Sequence, residues 1–325
     1  MNREEILKKY KLTNEEHEQY YQTIKRIYTG GKTPVENPIA VIIGGQTGAG
    51  KSGIIGYSTK MFTDENVIII NSDEIKPFHP QSEEIAKLYP DMYTVITDQE
   101  SNTWTSQLFE ELRREKYNII FEGTMKNNRI ADESITELEK LGYTVVVRGI
   151  ATCDLESRMS ILERYEGQVT TKGWGRLVTI DHHNQTYVGM PNTIEYIENT
   201  GKYDILEIFS RGETPDQPIN VYAMHNKNTP KEKIDSALEG KTAISKYTRK
   251  FGYKDAKSAV LGAREEEYDR VTITLQERIK EILDSMNKRN ASDKEKAIVL
   301  DLMNEYQAKI SKKKDEQKRM TGEDR

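Results

Sequence analysis

The stretch that decides the fold is Ile39-Ala40-Val41-Ile42-Ile43-Gly44-Gly45-Gln46-Thr47-Gly48-Ala49-Gly50-Lys51-Ser52, an apolar run that breaks into glycines and ends on Lys-Ser. The uninterrupted apolar run reads as a strand buried on both faces. Gly45 to Ser52 fits the pattern of Gly, any four residues, Gly, Lys, then Ser or Thr. In such a loop glycines permit the dihedrals and close approach that turn main-chain N–H groups onto a polyphosphate, and the next helix presents its N-terminus to the anion. Lys51 is placed to neutralise β and γ phosphates, and the Ser52 hydroxyl to ligate Mg²⁺ beside ATP. Gly45, Gln46, Thr47, Gly48, Ala49, Gly50, Lys51 and Ser52 are therefore the candidate cofactor-binding residues. The plain alternative is a glycine-rich strand-to-helix turn, which the strand before and the helix-forming stretch after make the weaker reading.

Outward from this loop, apolar runs at 67–70, 118–121 and 144–147 read as further strands, with 205–209 and 219–223 as weaker ones. Helical patterns at 102–116 and 130–141 lie between them. Upstream, Thr13 and Glu16 form a capping box and Gly30-Gly31 ends the run, giving an N-terminal helical segment within residues 1–35. Strands alternating with helices predict an α/β fold, a mostly parallel P-loop kinase-like sheet flanked by helices. Ligands on such sheets bind beyond the carboxyl ends of the strands, so the residues that follow each strand carry the chemistry.

Asp73 follows the second strand, where its carboxylate could serve Mg²⁺ or accept a proton from an attacking hydroxyl. Its bland reading is a helix N-cap for Glu74 onward. Glu122 leaves the third strand into Gly123-Thr124, suited to a polyhydroxyl substrate; its bland reading is an ion pair with Lys126 or Arg129. Phosphoryl transfer also needs positive charge around the migrating group. Arg164, on a helix, and Arg176, in a glycine-flanked segment able to close as a lid, could supply it, although either alone is more often a solvated or salt-bridged surface arginine. His182 and His183 read as surface or lid residues, because helix neighbours point about 100° apart and cannot share one ion. Cys153 reads as a buried thiol.

Composition narrows the classes. The 325 residues carry 48 Lys+Arg and 53 Asp+Glu, net −5, which makes nucleic acid an unfavoured partner. No run approaches the about 18 apolar residues that span a bilayer, so no membrane partner is expected. A single cysteine excludes an internal disulfide, and the expectation is a cytoplasmic protein. Charge also divides the chain. Residues 1–226 hold 24 basic and 34 acidic residues, net −10, and residues 227–325 hold 24 and 19, net +5. The Asn226-Lys227-Asn228-Thr229-Pro230 stretch supplies linker chemistry at that boundary. Beyond it the strand signal ends. Val271, Leu275, Ile279, Ile282 and Met286 fall at helical spacing, and Ser292 with Glu295 forms another capping box. Residues 1–226 thus read as the kinase-like domain and 227–325 as an all-α extension, frayed from Lys312.

Together these residues resemble the zeta toxin family of bacterial toxin–antitoxin systems. The resemblance is carried by Gly44-Gly45-Gln46, by Asp73 with Lys76 and His79-Pro80, by Phe121-Glu122-Gly123-Thr124, and by Leu162-Glu163-Arg164-Tyr165-Glu166, in that order. It covers about residues 5–226. It implies an ATP-dependent kinase that phosphorylates the 3′-hydroxyl of the sugar in UDP-N-acetylglucosamine and so inhibits cell-wall synthesis. By the same resemblance Asp73 is the base, Lys51 holds the phosphates, Arg164 and Arg176 stabilise charge, and Lys76, Glu122, Thr124 and Lys126 join Asp73 in substrate binding. The family's arginine soon after the Glu-Gly-Thr turn is Lys126 here, which keeps the charge and loses the fork. The implied partners are the nucleotide-sugar substrate and an epsilon-type antitoxin in trans. A net-positive helical extension is also suited to fold against the net-negative part and restrain it in cis, or simply to stabilise it. Two further readings keep the loop: a kinase for an antibiotic, a nucleotide or a polynucleotide end, and a nucleotide-gated nucleic-acid-binding protein.

Overall fold

In a computed structural model, which describes residues 1–62, 64–176, 178, 180–214, 217–238 and 252–321, six strands form one sheet. These are β1 (Ile39–Gly44), β2 (Ile68–Ile70), β3 (Ile119–Glu122), β4 (Thr144–Ile150), β5 (Ile205–Ser210) and β6 (Ile219–His225), in the order β2-β3-β1-β4-β5-β6. The first five are parallel, and β6 returns antiparallel to β5. The fold is the mostly parallel α/β sheet that the apolar runs predict, with both weaker strands present.

Alternation within the strands builds two cores. Ala40 and Ile42, Val145 and Val147, and Leu206 and Ile208 pack on one face. Their neighbours Val41 and Ile43, Val146, Ile205 and Phe209 pack on the other. A two-residue side-chain period makes this division inevitable once both faces are covered. The first face is covered by α2 (Asn14–Thr29), α6 (Tyr93–Arg114) and α9 (Ile180–Thr200), and the second by α3 (Lys51–Thr59) and α10 (Lys231–Leu238). Thr13 caps α2 in the expected box with Glu16, and Gly30 ends it. α6 starts well before the predicted residue 102. A turn at Pro90–Met92 leads into it, and Ile96 and Ser101, the residues ahead of Asn102, are already buried against neighbouring elements. The predicted helix at 130–141 divides into a π-helical Ile130–Ile135 and α7 (Thr136–Lys140).

After α8 (Asp154–Lys172), the C-terminal residues form α11 (Ala256–Lys288) and α12 (Asp293–Thr321). The Ser292–Glu295 box caps α12, and the helix runs on past Lys312, where fraying was expected. The start of α11 enters the first core through Ala256, Ala259, Val260 and Ala263, beside Val221 and Tyr222. Its later turns, with α12, bury Leu155, Met159 and Leu162 of α8 in a third cluster. Opposite charges reinforce this packing: Arg278 holds Glu156 and Glu163, Arg289 holds Glu166, and Lys309 holds Asp154. Among the described residues no helix is long and apolar enough to cross a membrane.

Candidate active site

Parallel strands place their carboxyl ends on one edge, and the chain puts a functional group after each. β1 runs into the glycine loop, β2 into Asn71-Ser72-Asp73, β3 ends on Glu122, and β5 hands over to Arg211. The loop closes as its glycines allow. Gly48 and Gly50 have φ of +80° and +96°, in the left-handed region, and a Cβ on Gly48 would lie 2.0 Å from the Ser157 carbonyl oxygen. Gly50 then starts α3, whose first residues are Lys51 and Ser52.

Lys51 is largely enclosed at the centre. Its Nζ donates to the carbonyls of Gly45 and Gln46 at 3.0 and 3.2 Å and lies 3.5 Å from Glu122 Oε1. Burial pushes the Lys51 amine down, and the Glu122 and Asp73 charges oppose that. Burial pushes the Glu122 carboxyl up against the pull of Lys51. Glu122 also accepts from Asn71 Nδ2 at 2.6 Å, so its partners are Lys51 and Asn71, while Arg129 pairs with Glu133. The bland ion pair expected for Glu122 is not formed with Arg129.

Asp73 is not the helix cap of its bland reading. Asn71 caps α4 (Ser72–Ile75), accepting from the Asp73 N–H at 2.8 Å, which leaves the Asp73 carboxylate for other partners. Its Oδ1 accepts from Lys76 at 2.7 Å and meets Arg176 at 2.5 Å. Burial alone would raise the Asp73 carboxyl, but Arg176 and Lys76 outweigh it and hold the group far below the usual carboxylate range. Asp98 shares Lys76 at 2.9 Å and braces it from the α6 side.

These groups line one cavity of about 480 Å³. Thr47, Lys51, Asp73, Lys76, Glu122, Thr124, Lys126 and Arg176 all face it, so the structure collects most of the sequence candidates. Arg164 lies close enough that Arg176 lowers its guanidinium beyond the effect of desolvation, while Asp73 and Glu122 pull the other way. Gln46 behaves differently. Its side chain is fully buried and turns toward α8, donating to the Thr152 carbonyl at 2.7 Å. His182 lines the cavity, in keeping with a lid position. His183 does not lie at the surface as expected: it is buried, with Nε2 at 2.7 Å from Ser157 Oγ. Cys153 is a buried thiol, and burial pushes its pKa up.

Sequence reading missed two arginines. Arg211 donates to the Ala49 carbonyl at 3.1 Å and to the Gly48 carbonyl, and pairs with Glu156. As the residue that follows β5, it satisfies the rule that singled out Asp73 and Glu122; the faintness of the 205–209 strand hid it. Arg264 reaches from α11 to Gln46 Oε1 at 3.2 Å and to the Tyr187 carbonyl at 2.9 Å, its guanidinium 3.9 Å from the Tyr187 ring centre. No local pattern could have announced a partner 218 residues away. Because Arg264→Leu leaves the buried Gln46 oxygen unpaired, it should lower stability by about 2–3 kcal/mol in chemical denaturation.

Chemically, a carboxylate and an amine lining one cavity, beside a glycine loop that runs into the N-terminus of α3, are parts suited to hold a polyphosphate and to deprotonate an alcohol next to it.

Comparison with known proteins bears on the family and the fold. Toxin zeta of Streptococcus pyogenes is 26% identical over 216 residues, covering 66% of this chain and 73% of that protein. Toxin PezT of Streptococcus pneumoniae serotype 4 is 30% identical over 187 residues, 57% of this chain and 71% of that one. A solved structure from the PezAT chromosomal toxin–antitoxin system of Streptococcus pneumoniae shares the fold, with a TM-score of 0.59 at 22% identity over 85% of this chain and 98% of that one. The zeta toxin family model matches residues 24–222, well over half of the 325 residues, and the chain belongs to the zeta toxin family of kinase-like phosphotransferases.

Proposed function

We propose that the protein transfers the γ-phosphate of ATP to the 3′-hydroxyl of the sugar in UDP-N-acetylglucosamine, and so inhibits cell-wall synthesis. The observation that carries this reading is the placement of Asp73 and Lys51 on one cavity wall, with Glu122 between the ends of their strands. Lys51 and the loop amides hold the β and γ phosphates, and Asp73 takes the proton from the attacking hydroxyl. In a loose transition state that proton leaves late, so a carboxylate of low basicity suffices. Arg176 and Arg164 meet the charge spreading over the phosphoryl oxygens. Substrate enters by exchanging contacts with Asp73, whose present partners Lys76 and Arg176 are the cations a nucleotide would also attract.

The acceptor side has room for more than a sugar. A second cavity, of about 810 Å³, shares Asn102, Gly123, Thr124 and Lys126 with the first. Lys126 and Arg129 on its wall suit the diphosphate of a nucleotide sugar. Mg²⁺ fits as an ion that arrives with the nucleotide. The Ser52 hydroxyl is at the start of α3, and a small hard cation keeps most of its waters and takes its other oxygens from phosphate. It supplies neutralisation of the β and γ oxygens. An antitoxin in trans is the expected partner, by likeness to the PezAT toxin–antitoxin system. Among the described residues the Asp73 cavity is lined by residues between 47 and 182, so the extension does not border the acceptor side of the site.

The test is an acceptor screen with purified protein, ATP and Mg²⁺, read by mass spectrometry. UDP-N-acetylglucosamine should gain one phosphoryl group. Gain by an antibiotic, a free nucleotide or a polynucleotide end instead would replace this acceptor, and salt-sensitive nucleic-acid binding without any product would replace the kinase reading. A second expectation concerns Asp73. Its carboxyl titrates well below the ordinary carboxylate value, so it is ionised throughout the neutral range and takes up a proton only in strong acid. Arg176→Ala removes one of the two cations, so the carboxyl should titrate at higher pH. Carbon NMR of the Asp73 carboxyl checks this, and an unmoved titration would refute the pairing.

A further inference from the structure

The glycine loop stands between two cavities. The Asp73 cavity touches it at Thr47 and Lys51. A separate cavity of about 590 Å³ touches it on the other flank, at Gly50, Ser52 and Gly53. An extended nucleotide whose terminal phosphate faces Asp73 must leave the loop with its nucleoside on that other flank. We propose that α11, a segment beyond the family-wide match at residues 24–222, supplies one wall of this cavity of about 590 Å³, in which the nucleoside of the phosphoryl donor lies, and so part of its donor selectivity. This rests on the reading of the loop as a polyphosphate site.

The chemistry of the walls suits a base and a sugar. Ile150, Pro218 and Val271 give apolar surface for a planar ring. Glu213, Glu267 and Thr274 offer oxygens to ribose hydroxyls or an exocyclic amine, and Arg270 adds a cation. The α11 wall is fixed to the loop at several points. Arg264 holds Gln46, Glu267 accepts the Cys153 N–H at 2.5 Å, and Arg278 grips Glu156, which in turn pairs with Arg211. Arg211 donates to the carbonyls of Gly48 and Ala49 and also lines the cavity. The helix thus reaches the phosphate loop through side chains at both ends of the cavity. Arg211 acts as a positioning residue between α11 and the loop.

Thr274 provides a clean probe, because it is exposed on α11 while lining the cavity, so a larger side chain need not disturb the core. In the full chain, Thr274→Trp should weaken ATP binding about tenfold or more in calorimetric titration while leaving inorganic tripolyphosphate within about twofold of wild type. Arg270→Glu, also at an exposed position, should weaken ATP by a similar factor. Equal loss of both ligands in Thr274→Trp, or unchanged ATP binding in both variants, would overturn the assignment of this wall. A wild-type chain that bound neither ATP nor tripolyphosphate would instead remove the phosphate-loop reading itself. A wild-type chain that binds both, with ATP binding unmoved in the variants, leaves that reading intact and rejects only the role of α11.

Discussion

Asp73→Asn is expected to reduce phosphoryl transfer by about 10²–10⁴-fold, the range that a positioned general base contributes, with nucleotide binding close to wild type. The substitution keeps the shape of the side chain and the Asn71 cap, in which Asn71 Oδ1 accepts from the Asp73 main-chain N–H. It removes the charge that pairs with Arg176 and Lys76. Lys76 keeps Asp98 at 2.9 Å, so the local fold should persist, and a thermal melt within a few degrees of wild type checks this. Single-turnover transfer and ATP titration on the same sample separate chemistry from binding. Turnover at the wild-type rate would end the mechanism.

Lys51→Met should affect both steps. The amine is the cation at the heart of the loop and also the charged partner of buried Glu122. Without it the anion loses an oriented positive group, worth about 10²–10³ in rate for one electrostatic contact at such a site. Nucleotide affinity should fall as well, which distinguishes this variant from Asp73→Asn. The energetics of Glu122 follow by sign. Burial already raises that carboxyl and Lys51 lowers it, so loss of Lys51 raises it further and favours the protonated acid. A variant that retained ATP affinity and transfer would show that the phosphates lie elsewhere.

Most of the candidate site's edge was legible because it is local. Each apolar run lies within a few residues of the glycines or the acid that follows it, and parallel strands must deliver their ends to one side. Lys51, Asp73 and Glu122 are readable on that ground from the sequence alone. Legibility stops at β5, whose weaker pattern concealed Arg211. For His183 the expected surface position fails, because a residue's place along a helix fixes its backbone and not where its side chain goes. Gln46 belongs to the loop, yet its amide satisfies buried groups of α8 and α11.

By itself, then, the order of residues determined the sheet, the anion loop and the carboxylates at its edge, since dihedral preference and two-residue alternation act over short stretches. Only the folded chain decided which cations those carboxylates meet, and that α11 belongs to the wall behind the loop. Such pairings join residues distant along the chain, and what selects them is the need to bury apolar helix faces while leaving no buried polar atom unpartnered.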